Sequence, residues 1–181
     1  MTYRGPVRRQ SEADKASAIP SEPERSGFRG AMRELASGVS IVTCGAGERR
    51  AGCAVTALTS LSLSPPSLLV CLDLGSTTLR RIREVGIFAV NLLGASHERL
   101  AARFAGHDGS QGAARFDEGE WIVLVTGAPI LADALASIDC RVEDIRDRHS
   151  HAIVIGAALA TRSRAGGPEL LHWRTRFETL A

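Results

Sequence analysis

AGCAVTALTSLSLSPPSLLVCLD, at positions 51–73, is the stretch of this sequence that decides the fold. Read with a period of two, it places one set of side chains on one face: Val55, Ala57, Thr59, Leu61 and Leu63. The other face carries small and hydroxyl side chains with one leucine: Ala54, Thr56, Leu58, Ser60 and Ser62. This alternation predicts a half-buried strand. Because its second face is nearly flat, an aromatic ligand can lie along it and reach the backbone amides.

Proline, glycine and capping residues divide the rest of the chain into short elements. Pro65 and Pro66 end the strand, since proline has no N–H for a sheet ladder, and the next apolar run predicts a buried strand at 68–72. Strands are also expected at 39–44, which forms a hairpin with the strand from Ala51, and at 87–93, 121–125, 135–144, 152–161 and 170–174. Helices are expected to begin at Ser26, Ser76 and Ser96 and to end at Gly38, Gly86 and Gly106, and a polar loop is expected at 106–120.

Many strands and few helices predict a mainly β (α+β) fold, a split antiparallel β-barrel of Greek-key type with a few peripheral helices. The 181 residues suffice for one domain with a sizeable core. That domain is expected at 26–181. The polar, proline-containing segment 1–25 is expected to be a disordered tail.

The composition excludes several classes of function. The formal net charge of +2 is too small to indicate nucleic acid or an anionic membrane as a partner. Lys15 is the only lysine and Tyr3 the only tyrosine, and both lie in the expected tail. The domain therefore has no lysine for a Schiff base or a Walker-type phosphate loop, and no Tyr–Lys dehydrogenase site.

The spacing of the cysteines bears on metal binding, and the apolar runs bear on the cellular compartment. The four cysteines form no C-x-x-C pair, so neither a zinc knuckle nor a dithiol redox motif is expected. His149 and His151 could chelate a metal from one strand face, but no third ligand is evident nearby, so no metal is expected. There is no apolar signal segment, and no apolar run approaches the roughly 18 residues of a membrane span. We therefore expect a cytoplasmic protein with reduced thiols.

A family resemblance emerges from the order of several short motifs. TALTSLSLSPPSLLVCLD, at 56–73, resembles the signature of the flavin reductase-like proteins, the split-barrel reductase partners of two-component flavin monooxygenases. Further matches follow in order at 76–78, 88–93, 102–104 and 138–143, so the resemblance covers roughly 26–177. It implies a split barrel, a homodimer with the ligand near the subunit interface, FMN or FAD as the flavin, NADH or NADPH as hydride donor, and a separate flavin-dependent monooxygenase as partner.

The strand pattern and the resemblance together give a set of candidate site residues. His151 aligns with a family histidine near the nicotinamide site, although His149-Ser150 stands where the family has Gly-Asp. The expected cofactor-binding residues are Cys53, Ala54, Val55, Thr56, Ala57, Ser60, Asp73, Ser76, Thr77, Thr78, Arg103, Phe104 and Trp173. Those at 53–57 would hold the flavin ring through backbone amides, and Ser76, Thr78 and Arg103 would hold its phosphate.

Several of these residues also have a plainer interpretation. Ser76-Thr77-Thr78 at a helix start can be an N-cap as well as a phosphate site. Arg103 can face solvent or the helix C-terminus, and Arg80, Arg81 and Arg83 are weaker phosphate candidates because an arginine run is usually a solvated face. His151 can be a structural histidine. Trp173 can belong to a core or an interface, and Thr175 stands where the family commonly has a glycine after the aromatic residue and the arginine.

The residues and the resemblance lead to an NAD(P)H:flavin oxidoreductase that supplies reduced flavin to a monooxygenase. Gly45-Ala46-Gly47 is a hairpin turn and not a dinucleotide fingerprint, since Arg50 occupies the third glycine position and a strand follows. The alternative function is a flavin-binding carrier or sensor without nicotinamide turnover, and a barrel with no flavin site at all is the third.

Overall fold

The computed structural model describes residues 22–164 and 166–180. Its helices are α1 (Glu22–Arg33), α2 (Thr77–Val85) and α3 (Glu98–Phe104). Its strands are β1 (Ser37–Gly38), β2 (Ser40–Cys44), β3 (Ala51–Val55), β4 (Leu58–Leu63), β5 (Pro66–Asp73), β6 (Ile87–Leu92), β7 (Trp121–Val123), β8 (Pro129–Leu131), β9 (Ala136–Arg148), β10 (His151–Ser163), β11 (Leu170–Trp173) and β12 (Arg176–Thr179). The chain divides into two compact units, one ending at Leu35 and the other beginning at Ala36.

Helix α1 belongs to the first unit and begins earlier than predicted. It starts at Glu22 and not at Ser26, because Pro23 falls in the first turn, where proline is tolerated. It ends at Arg33, well before Gly38, which lies in β1. The predicted tail at 1–25 lies outside the described residues except for its last four.

The main sheet of the second unit is antiparallel and runs in the order β3-β2-β6-β9-β10-β5-β4. Its two edge strands, β3 and β4, are consecutive in the chain and are joined by only Thr56 and Ala57. The sheet therefore curls until its edges approach each other, which confirms the expected split antiparallel barrel. Smaller sheets, β1-β11-β12 and β7-β8, accompany it.

The predicted single strand from Ala51 to Leu63 is wrong. β3 pairs with β2, whereas β4 pairs with β5, and the chain breaks between them. A shift in the β4–β5 register between Ser60 and Ser62 marks a β-bulge. Leu61 and Leu63, predicted to share one face of a half-buried strand with Val55, are 51% and 90% exposed. The alternation was present, but the partner strands and the bulge decide which face is buried.

Two apolar clusters position the site. The first lies between the sheet and α2 and includes Val42, Val70 and Phe88. Gly156 of β10 is required there, because a Cβ at this position would lie 2.5 Å from Cζ of Phe88. The second cluster includes Ile41 and Phe104 and lies on the other side of β2 and β3.

The N-cap predicted at Ser76 is correct, and the one predicted at Ser96 is wrong. α2 is capped by Ser76 and stops at Gly86, which takes the left-handed conformation (φ 68°), as expected. Ser96 does not cap α3, since a 3-10 turn at Ala95–His97 precedes that helix. There the ring Nδ1 of His97 accepts a hydrogen bond from the Gly94 amide at 3.1 Å. In the described part of the chain, no helix is long and apolar enough to cross a bilayer.

Candidate functional site

The first turn of α2 faces strand β3 and brings three predicted residues together. Burial raises the pKa of the Cys53 thiol. The nearby hydroxyls of Thr78 and Ser76 oppose this shift only in part. Cys53 is therefore a neutral thiol at neutral pH, so it serves as a small packing side chain and not as a nucleophile.

The start of α2 is built by Asp73 and Ser76. The Asp73 carboxylate accepts a hydrogen bond from the Gly75 amide at 2.7 Å, and its carbonyl accepts one from the Ser76 amide at 3.0 Å. The Ser76 hydroxyl accepts from the amides of Thr78 at 3.1 Å and Leu79 at 3.5 Å. The capping interpretation is thus confirmed. The phosphate role of 76–78 remains a prediction, which the positive end of the helix dipole favours.

His151 begins β10 directly opposite Asp73 at the end of β5. Its Nδ1 lies 2.9 Å from the Ser150 hydroxyl, and the Ser150 carbonyl accepts from the Leu74 amide at 3.0 Å. The predicted nicotinamide residue therefore lies beside the segment that leads into α2. His149 lies in the turn between β9 and β10 with a left-handed φ of 52°, so it does not share a strand face with His151 as the sequence suggested.

Arg103 is engaged by the segment that follows α3. Its Nε donates to the Arg115 carbonyl at 3.2 Å and its Nη2 to the Ala114 carbonyl at 2.6 Å. Its Nη1 donates to the Asp108 carboxylate at 2.8 Å. These bonds hold the predicted polar loop, which includes a 3-10 turn at Gly112–Asp117. The structure gives Arg103 this anchoring role, and its phosphate role stays a prediction.

Phe104 is 1% exposed and is packed behind β3. Its ring lies 5.0 Å from that of Phe116 and 5.5 Å from that of Trp121, centroid to centroid. A Cβ on Gly52 would lie 2.7 Å from the Phe104 ring, so glycine is needed for this close approach. The direct cofactor contact predicted for Phe104 does not fit this burial, and the ring instead supports the strand from behind.

Trp173 lies in β11, the middle strand of the small sheet β1-β11-β12. The Arg174 guanidinium carbon is 4.5 Å from the centroid of its ring. Arg174 and Thr175 form the two-residue turn to β12 with φ values of 47° and 67°. The glycine missing from the family pattern is thus replaced by two residues in the left-handed conformation that such a hairpin requires.

An apolar cavity of about 200 Å³ lies at the last residues of β3. Ala54, Val55 and Thr56 form one wall, and His172 and Phe177 are among the residues opposite. The break after β3 leaves the amides of Thr56 and Ala57 without a hydrogen-bond acceptor among residues 22–164 and 166–180. The site thus combines an apolar surface with two backbone donors, and the binding of a flat ligand along 53–57 stays a prediction.

The predicted residues are therefore only partly gathered. One group lies around β3 and the start of α2. Its members are Cys53–Thr56, Ser76–Thr78 and the adjoining Asp73 and His151. Ser60 is exposed on the edge strand β4.

The comparison with known proteins is decisive for the family. The model of the flavin reductase like domain matches residues 32–181. The chain belongs to this flavin reductase family. The resemblance inferred from the motifs at 56–143 is thereby confirmed.

Similar members of the flavin reductase family cover nearly the whole chain. The FMN reductase (NADH) RutF of Agrobacterium fabrum is 37% identical over 170 residues, 93% of this chain and 97% of that protein. The solved NADH:FAD oxidoreductase SgcE6 of Streptomyces globisporus C-1027 has a TM-score of 0.80 and 28% identity, covering 91% of this chain and 98% of its own. The styrene monooxygenase flavin reductase of Pseudomonas putida S12 has a TM-score of 0.75 and 26% identity, covering 86% and 97%.

Sequence reasoning missed the far wall of the apolar cavity in this flavin reductase. The residues that line it are His107, His172 and Phe177, which come from the turn after α3, from β11 and from β12. The His172 and Phe177 rings pack at 74°, with centroids 6.1 Å apart. Their aromatic character was a signal, but no local pattern brings residue 172 to residue 54.

Proposed function

We propose that this protein is a flavin reductase that uses NADH to reduce FMN or FAD. The observation that carries the proposal is the break after β3, where the amides of Thr56 and Ala57 have no acceptor among the described residues and Thr56 lines an apolar cavity. Amides and small side chains suit a flat heterocycle with polar edge atoms. The bound flavin ring supplies the chemistry, accepting a hydride from the reduced nicotinamide.

The chain's own residues bind and orient the two reactants. The Thr56 and Ala57 amides donate to the polar edge of the ring, and the start of α2 at Ser76 receives the phosphate. If the Ser150 hydroxyl donates to Nδ1 of His151, the Nε2–H of His151 is left to donate to a nicotinamide carboxamide. Reaction needs the two reacting atoms about 3–3.5 Å apart, so orientation is the protein's main contribution.

The choice of nucleotides rests on the relatives. Names of similar proteins support FMN with NADH, and one supports FAD with NADH. We take NADH as the donor, with NADPH as its comparison in the assay.

The direct test is NADH oxidation by the full chain with added FMN or FAD, followed by loss of NADH absorbance. A matched pair of variants tests the carrying observation: Thr56→Pro removes the amide hydrogen, whereas Thr56→Ala keeps it and removes only the side chain. We expect Thr56→Ala to remain active and Thr56→Pro to weaken flavin binding about three- to tenfold, as for one lost hydrogen bond. Circular dichroism checks that both fold.

Two outcomes would overturn the proposal. Saturable flavin binding without NADH or NADPH oxidation would favour the carrier or sensor. Absence of saturable flavin binding would leave a barrel without a flavin site.

We also propose a homodimer, supported by edge strand β4. Leu63 is 90% exposed and Leu61 51% exposed in the single chain, on a strand whose outer edge is unpaired in the main sheet. Leu63→Asp should lower the mass measured by light scattering to that of a monomer. Val125→Asp is the control, because Val125 is 68% exposed and lies outside β4. A dimer that survives Leu63→Asp would exclude this edge.

Reduced flavin is proposed to leave this protein for a separate flavin-dependent monooxygenase, which fits a relative named as the reductase of a styrene monooxygenase. Under anaerobic gel filtration, reduced flavin should elute apart from the protein; complete co-elution would contradict release. The proposed compartment is the cytoplasm, which suits the free thiols of Cys44, Cys53, Cys71 and Cys140.

A further inference from the structure

A second cavity, of about 520 Å³, lies at the first residue of β3. Three separate segments line it: the turn before β3, the exposed side of α2 and the segment after α3. Together they contribute five arginines, which are Arg49, Arg50, Arg80, Arg81 and Arg115. Ala51 and Thr77 also line it, so the cavity begins next to the residues of the proposed flavin site.

The carboxylates near these arginines are too few to neutralise them. Glu84 pairs with Arg81 and lies 3.8 Å from Arg49, and Glu48 is part of the lining. In the described part of the chain, Arg50 and Arg80 have no carboxylate within ion-pair distance. The cavity therefore carries an excess of positive charge and favours an anion.

Arg115 and Arg50 are held in place by carbonyl groups and an aromatic ring, which do not neutralise their positive charge. Arg115 donates to the carbonyls of Gly52 at 2.9 Å and Phe104 at 3.1 Å. The guanidinium carbon of Arg50 lies 4.8 Å from the centroid of the Phe116 ring. Its Nε is buried with no hydrogen-bond partner among the described residues. A buried donor without a partner is costly, and a bound anion would satisfy it.

Helix α2 supplies one side of the cavity. Thr77, Arg80 and Arg81 are spaced at i, i+3 and i+4 and share one face of the helix. Arg83 lies on another face and pairs with Asp147 of β9. The arginine run that looked like a solvated face in the sequence is thus divided, with two members in the cavity and one outside it.

We propose that this arginine cavity binds the diphosphate and adenosine part of a dinucleotide. The volume falls in the range of small-molecule sites. A single phosphate is served by one or two guanidinium forks, whereas five arginines from three segments match two linked phosphates. The inference rests on the proposed function and deepens it, because FAD and NADH both contain this group. The same chemistry can thus come from either nucleotide.

The test compares Arg80→Gln with Arg83→Gln, a change on the same helix outside the cavity. Fluorescence quenching gives the Kd of FAD, FMN and riboflavin, and steady-state assays with FMN give the KM for NADH. If FAD is the source, Arg80→Gln weakens FAD binding about tenfold and leaves FMN within about twofold. If NADH is the source, Arg80→Gln raises the KM for NADH by a similar factor and leaves both flavins unchanged. Arg83→Gln changes none of these values.

ADP-ribose tests the cavity without any flavin. It should raise the Tm of the unmodified protein and raise that of Arg80→Gln much less. A protein that binds no flavin but still responds to ADP-ribose would reject the proposed function and keep the cavity. Equal losses of FMN and FAD affinity in Arg80→Gln would indicate a monophosphate site and overturn the inference. So would unchanged FAD, NADH and ADP-ribose binding.

Discussion

Ser76 allows the two roles of the α2 start, helix cap and phosphate site, to be separated by one pair of substitutions. In Ser76→Ala the hydrogen bonds to the Thr78 and Leu79 amides, at 3.1 and 3.5 Å, are lost. Such a lost cap costs about 1 kcal/mol, or roughly 2–4 °C in Tm for a chain of this size. In Ser76→Asp the carboxylate caps as well as the hydroxyl did, so the free energy of unfolding should stay within about 0.5 kcal/mol.

The aspartate has a second effect only if a phosphate binds here. Two unit charges about 4 Å apart in a water-like environment repel by about 1 kcal/mol. A phosphate with nearly two negative charges would therefore bind about 2 kcal/mol more weakly, which raises the Kd of FMN about 30-fold. Riboflavin has no phosphate and should bind Ser76→Asp as it binds the unmodified protein. Fluorescence titration with both ligands measures the difference, and urea unfolding confirms the cap. If FMN and riboflavin bind Ser76→Asp with unchanged affinities, the α2 start is a cap alone.

Three further predictions concern stability and rate. Thr175→Gly should stabilise the fold by about 1 kcal/mol in urea unfolding, because a β-branched residue is strained at a φ of 67°; no gain would contradict the turn described here. Burial raises the pKa of Cys44 and of Cys140 to about 12. Both thiols should resist alkylation at about pH 8 until urea is added. Because these thiols ionise at lower pH in the unfolded chain, their contribution to stability is intact below pH 9.0 and is lost as the pH rises towards about 12. Rapid labelling of Cys44 or Cys140 in the native protein would refute their burial. His151→Ala should slow flavin reduction by NADH roughly two- to twelvefold in stopped flow and leave flavin Kd unchanged, the loss of one neutral hydrogen bond; an unchanged rate would assign this histidine a structural role.

Local signals predicted the elements whose ends depend on nearby residues. Ser76 and Gly86 bound α2 because a cap and a left-handed stop act within one turn of the helix. The two-residue turn at Arg174-Thr175 has the left-handed shape, yet neither residue signals it, since the strand pairing imposes it.

Long-range pairing decided what the sequence could not show. The alternation through Thr56 and Ala57 continues without a visible break, but β3 and β4 pair with different strands. Arg80 and Arg115 meet in one cavity although they are far apart in the chain. Arg103 anchors the loop after α3, although the sequence around it matches that of a phosphate-binding arginine equally well. These features depend on topology, which short motifs do not encode.

The two-residue connection Thr56-Ala57 ties the opposite edges of the main sheet together. Only three Cα-to-Cα steps connect Val55 at the end of β3 to Leu58 at the start of β4. Those two atoms can never lie more than about 11 Å apart, whatever hydrogen bonds form or break around them. The barrel is thus closed here by covalent bonds rather than by a ladder. Any widening of the split must pivot about this tether, so the connectivity of the chain lets the two edges separate only at their far ends.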